Sequence, residues 1–135
     1  MQINFIIQGN PENLHGNPMP YTRLPNNMKF SPLGERYARW KRYVLSTFWT
    51  EAHKFPEAQE MIDFRTGQIS VPKKNQVAIT VHVKFVNHSH GDLDNIVKGI
   101  LDAIIKNDKC VNEIHATSEF SPTDGGTTKV ELKIL

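Results

Sequence analysis

Asp92 and Asp94, separated by a single leucine, are the residues of this chain with the clearest capacity for chemistry. They sit in His90-Gly91-Asp92-Leu93-Asp94-Asn95-Ile96-Val97-Lys98-Gly99-Ile100-Leu101-Asp102. On an extended backbone, side chains two residues apart share one face, so the two carboxylates can converge. Like charges that close repel unless a cation lies between them. A hard divalent ion such as Mg²⁺ is held by one or two carboxylates, with water and substrate phosphate completing its shell. The pair therefore points to phosphodiester chemistry. A simpler use exists: Asp94 can cap a helix that starts at Asn95, leaving Asp92 an ordinary loop acid.

The elements around the pair narrow the choice. Ile96, Val97, Ile100, Leu101, Ile104 and Ile105 recur at helical spacing, which predicts an amphipathic helix from Asn95 to about Lys106. Asp94, Lys98 and Asp102 lie four apart along the flank of its apolar stripe. Lys98 then has two uses. It can join an i,i+4 ladder with the acids, worth a few tenths of a kcal/mol, roughly. It can also present its ammonium one turn beyond the acids, within reach of a phosphate or an attacking water.

The stretch from Asp92 to Ala103 resembles the core of the RusA-type Holliday junction resolvases, whose pattern reads D-L-D-N-x-x-K-x-x-x-D-A. The run from Gly16 to Arg23, with Pro18 and Pro20, looks like the proline-rich loop after that family's first strand. Gly125-Gly126 followed by Val130, Leu132 and Ile134 looks like its closing turn and strand. The resemblance implies that Asp92 and Asp94 bind Mg²⁺ (or Mn²⁺) and that Lys98 is the catalytic lysine. The family's third carboxylate is an aspartate just after the helix. Here the matching acid is Glu113, with Asn112 where the family often has a first aspartate, and Asp108 is the alternative. The implied activity is metal-dependent cleavage of four-way DNA junctions by a homodimer acting in recombination and repair in the bacterial cytoplasm, encoded by the host or by a prophage.

Two rival readings use the same residues. His88 and His90 extend the period-two pattern into Asp92, a His-x-His-x-Asp spacing used by zinc hydrolases. Against it, the chain is short for those folds, and the continuation from Asp94 to Ala103 matches the resolvase pattern. That resemblance implies phosphate-facing histidines, because members of the family often carry arginine or lysine in this loop. A non-catalytic DNA-binding module is the other rival, but it offers no reason to set acids beside a DNA path.

The 135 residues suit one domain, residues 1–135, with a single core. No apolar run reaches membrane-spanning length, and no secretory leader pattern opens the sequence. One cysteine, Cys110, excludes an intrachain disulfide and fits a reducing compartment as a small buried residue. The net charge of +2 is mild, but its distribution is not even. Lys29, Arg36, Arg39, Lys41 and Arg42 crowd a segment whose single acid is Glu35. Together with Arg23, His88 and His90, the residues Lys29, Arg36, Arg39 and Arg42 are the expected DNA contacts.

Ser31-Pro32 predicts a helix start, and Leu33, Tyr37, Trp40, Val44 and Phe48 follow at helical spacing with Tyr43 and Trp49 adding aromatic bulk. This aromatic helix and the proline-rich loop are the candidate dimer surfaces. Ile3, Phe5 and Ile7 predict a first strand, and Val77 to Phe85 alternate as the strongest one. Residues 54–74 give a mixed signal, with a small hairpin or irregular excursion near Arg65 to Gln68. Ile114 to Phe120 and Val130 to Ile134 predict the last strands. The order β-α-β-α-β-β predicts an α+β domain, a mixed sheet packed against two main helices, as in the RusA family.

Overall fold

The computed structural model describes residues 1–135. Strand β1 (Gln2–Gln8) is followed by a long loop and helix α1 (Pro32–Ala52). Short helix α2 (Pro56–Glu60) precedes strand β2 (Val77–Phe85), helix α3 (Leu93–Ile104), and strands β3 (Val111–Phe120) and β4 (Thr127–Ile134). The sheet order is β1-β4-β2-β3. Strand β4 runs antiparallel to β1 and to β2, whereas β2 and β3 are parallel, joined by α3 as crossover. The architecture is the expected α+β domain with a mixed sheet. Helix α2 is the element that hydrophobic spacing missed, because five residues with Ala58 alone buried leave no periodic stripe.

One face of the sheet builds the core. Ile3, Phe5 and Ile7 of β1, the odd-numbered residues 77–85 of β2, and Val130, Leu132 and Ile134 of β4 are all buried. Helix α1 lays Tyr37, Trp40, Val44, Phe48 and Ala52 on this face, and α3 adds Ile96, Val97, Ile100, Leu101 and Ile104. Both helices owe their stability mainly to these stripes rather than to propensity. Ser31 caps α1 as its sequence predicts, accepting from the Gly34 amide at 3.2 Å with Pro32 in the first turn. The aromatic face of α1 is therefore core. Tyr37, Trp40 and Phe48 are buried against the sheet, so only the opposite, polar side of this helix is left at the surface. Leu33 falls outside the stripe and stays exposed.

Strand β3 differs from the rest. It lies at the sheet edge and has no buried residue, and Ile114 and Phe120 remain about half exposed. Its register sets which side chains can meet α3. Ile114 pairs with Ile79 and Ala116 with Val81, on the helix-covered face. Glu113 pairs with Ala78 and His115 with Thr80, on the open face.

The N-terminal loop closes over the domain. The Gly9 amide bonds the Gly126 carbonyl, and a Cβ on Gly126 would sit 2.9 Å from the Gly16 carbonyl oxygen. With φ at +87°, this turn needs glycine for conformation as well as space. No helix is long and apolar enough to cross a membrane.

Candidate active site

Helix α3 begins two residues earlier than its apolar spacing predicts, and this changes the geometry of the acid pair. Asp92 occupies the N-cap position with φ −63° and ψ 145°, and Leu93 already belongs to the helix. Asp94 thus stands in the first helical turn instead of facing Asp92 across an extended strand. The expected alternation on a strand is replaced by adjacency at a helix N-terminus, where the exposed amide ends favour negative charge.

Asp94 does not cap the helix as the simpler reading expected, and Asp92, which holds the N-cap position, does not cap it through its side chain either. The Asp92 side chain makes no cap hydrogen bond. Both carboxylates are exposed, and neither takes part in any of the ion pairs that the fold makes. The i,i+4 ladder is also not formed. Asp102 instead accepts a 2.8 Å hydrogen bond from the Tyr37 hydroxyl and lies 3.5 Å from the Lys41 ammonium. Burial, reinforced by the hydrogen bond to Asp102 and by its charge, pushes the Tyr37 hydroxyl far above the usual tyrosine range. It therefore stays a donor. Lys98, left without a carboxylate, sets its Nζ 4.3 Å from the centre of the Tyr21 ring.

A groove of about 670 Å³ opens between α3 and β3, lined by Leu93, Asp94, Val97, Lys98, Asp108 and Ile114 among others. Asp108 arrives there on a short 3-10 turn, Asp108–Cys110, that links α3 to β3. Asn107 starts this turn by accepting from the Lys109 amide at 3.2 Å. Glu113, expected as the third acid, is not brought to the pair. Strand alternation turns it to the open face of the sheet, where it meets His115 Nε2 at 2.8 Å. The acid that shares the groove with Asp94 and Lys98 is Asp108. No three His, Cys, Asp or Glu side chains gather tightly enough to form a ready-made metal cage. Mg²⁺ does not require one, since it keeps several waters and takes one or two carboxylates with substrate phosphate. The donors present, all carboxylate oxygens, fit that ion.

His88 and His90 do not converge with Asp92 as zinc ligands would. His88 stacks on Phe120, with ring centres 4.3 Å apart, and His90 stacks on Phe85 at 3.6 Å. His90 Nδ1 also lies 2.8 Å from its neighbour's carbonyl, that of Gly91. Two different phenyl rings hold the two imidazoles, so the loop is ordered by stacking.

One side chain bolts this loop down. Asn17 donates from Nδ2 to Asn87 Oδ1 at 2.9 Å and to the Ser89 carbonyl at 3.0 Å, while its Oδ1 accepts from the Val86 amide at 2.8 Å. The loop that delivers Asp92 is thereby tied to the proline-rich segment. Asn17 had no pattern in the sequence to mark it.

The basic residues divide. Arg23 and Lys29 line a groove of about 380 Å³ together with Tyr21, Tyr37, Lys41 and Asp102. Arg42 lines an adjoining one of about 350 Å³, also beside Lys41. Arg36 is exposed on α1. Arg39 is engaged in an exposed ion pair, its Nε donating to Glu12 at 2.8 Å. Its expected role in binding DNA is thus shared with a surface ion pair to Glu12. Lys41, which was not one of the expected DNA contacts, stands where both grooves meet. Among known proteins, no family model matches the chain, and no curated protein matches it.

Proposed function

We propose that this chain is a metal-dependent endodeoxyribonuclease that resolves four-way DNA junctions, the activity its resemblance to the RusA-type resolvases implies. The observation that carries the reading is the state of the acids: Asp92 and Asp94 project from the start of α3 with their carboxylates unpaired, beside an equally unpaired Lys98. Structural acids at a helix start normally cap it, so free ones at that place favour a ligand. Asp92 and Asp94 would hold Mg²⁺ or Mn²⁺, with Asp108 as the third oxygen donor across the groove. The ion supplies Lewis-acid polarisation of the scissile phosphate.

The chain's own groups do the rest. The Lys98 ammonium offsets negative charge building on the phosphate oxygens as water adds and the P–O bond to the leaving strand breaks. Arg23, Lys29, Lys41 and Arg42 hold the backbone of a DNA arm alongside α1. A two-fold dimer suits a two-fold junction, because paired sites can cut opposite strands together. Such an enzyme works on chromosomal or prophage DNA in the bacterial cytoplasm.

The test is cleavage of a synthetic four-way junction against a matched duplex, with Mg²⁺ or with EDTA. Junction-selective cutting that EDTA abolishes is the expected result. Tight junction binding with no cutting in any divalent ion would instead favour the non-catalytic DNA-binding module.

A further inference from the structure

We propose that Tyr21 is a positioning residue for Lys98, its ring acting as the seat that holds the ammonium in one place beside α3. A lysine side chain has four rotatable bonds, and an unpaired ammonium on an exposed helix face samples many rotamers. Lys98 is such a residue, exposed and without a carboxylate partner from either Asp94 or Asp102. The face of Tyr21, 4.3 Å from Nζ, is the one group in the fold that selects among those rotamers. Attraction between a cation and a ring quadrupole is modest at a partly exposed site, which suits a seat that must let the ammonium engage a phosphate.

The seat is itself fixed. The Tyr21 amide donates to the Asn95 carbonyl at 2.8 Å, which pins the proline-rich strap to the first turn of α3. The strap passes so close to the helix that a Cβ on Gly99 would lie 3.1 Å from the Tyr21 nitrogen. The Tyr21 ring meets Tyr37 edge to face, at 6.2 Å and 88°. Tyr37 is in turn held by its hydrogen bond to Asp102. Backbone and ring contacts therefore fix the seat independently of anything bound in the groove.

The catalytic consequence rests on the nuclease reading, but the placement of Lys98 does not. Two measurements separate them. In the first, the Lys98 side-chain methylene protons are followed by NMR in the full chain. A ring face beside them shifts these protons upfield. The shift is expected in the wild type and in Tyr21→Phe, and is expected to vanish in Tyr21→Leu. Its absence from the folded wild-type chain would overturn the proposal whether or not the chain cuts DNA.

In the second, single-turnover cleavage of a four-way junction is measured at saturating Mg²⁺ for Tyr21→Leu and Tyr21→Phe, alone and combined with Lys98→Ala. Tyr21→Leu is expected to slow single-turnover cleavage of the bound junction by about fivefold, a loss in the range of one exposed cation–π contact. Tyr21→Phe is expected to recover most of that rate. In the Lys98→Ala background the leucine change is expected to add nothing. An equal loss in both backgrounds, or a phenylalanine variant as slow as the leucine one, would show that Tyr21 acts other than through Lys98. If no variant and no wild-type protein cuts junctions, the nuclease reading fails while the NMR result still decides the seat.

Discussion

At the level of single residues, the acids at the start of α3 are the sharpest point of attack. Asp92→Asn or Asp94→Asn keeps side-chain shape and removes a ligand charge. Each is expected to bind a junction at least as well as the wild type and to cut it roughly a thousandfold more slowly, equivalent to about 4 kcal/mol of transition-state stabilisation. Near-normal cutting by both variants would end the nuclease reading. The third acid gives a ranking test. Asp108 opens onto the groove of Asp94 and Lys98, whereas Glu113 faces away and meets His115. Asp108→Asn is therefore expected to raise the Mg²⁺ needed for half-maximal cutting, and Glu113→Gln to leave the metal titration where it was.

At the level of elements, the site depends on how the strap from Pro18 to Tyr21 crosses α3. A Cβ on Gly91 would fall 2.6 Å from Pro20 Cβ, so Gly91→Ala forces the strap or the loop to move. Overpacking of this kind costs about 1–3 kcal/mol, and the thermal midpoint and the cleavage rate are expected to fall together. The far end of α3 is secured differently. Lys106, just past the helix, binds Asp63 in the excursion closed by the Ile62–Ile69 bridge. The hydrogen bond from Lys106 holds the Asp63 carboxyl below its ordinary value of 3.8, helped by hydrogen bonds donated by the Arg65 and Thr66 amides. A depressed folded-state pKa means the contribution is present above that ordinary value and is lost as pH falls through the lowered one. Asp63→Asn is accordingly expected to lower the melting temperature at neutral pH. In an acid series, the gap to wild type should close as pH falls below the ordinary carboxyl range and the carboxylate is protonated. A gap that persists unchanged in acid would rule out the charge as its cause.

At the level of the whole molecule, basic side chains gather at two adjoining grooves beside α1. Lys41 lies where the grooves containing Arg23, Lys29 and Arg42 meet, beside the residues that hold Asp102. If this surface carries DNA, each lost phosphate contact removes about 0.9 from the slope of log affinity against log salt concentration. Lys41→Ala is expected to weaken junction and duplex binding alike and to flatten that slope by about one unit, without altering the metal requirement. A change confined to the cleavage rate would place Lys41 in the chemistry instead. The exposed edge strand β3 lies on the other side of the acid groove. It leaves the apolar side chains Ile114 and Phe120 uncovered.

Local pattern was enough for much of this protein. The alternation in β1, β2 and β4 and the stripes of α1 and α3 were legible because burial of one face imposes a period, and a period survives in sequence. So was the start of α1, since Ser31 and Pro32 satisfy needs that arise within one turn. The acids and Lys98 stood out for the same reason, being close in the chain. What spacing could not decide was which groups become partners across the fold. Asp102 turns to Tyr37 and Lys41 from another helix, leaving Lys98 to Tyr21 from a loop more than seventy residues earlier in the chain. The exchange of Glu113 for Asp108 follows from the register of β3 on β2, and a one-residue choice there moves a side chain to the opposite face. Asn17 and the stacked histidines likewise acquire their partners through loops that meet only once the sheet is assembled. Local periodicity records which face is buried; the identity of the neighbour on that face is set by packing between segments distant in sequence.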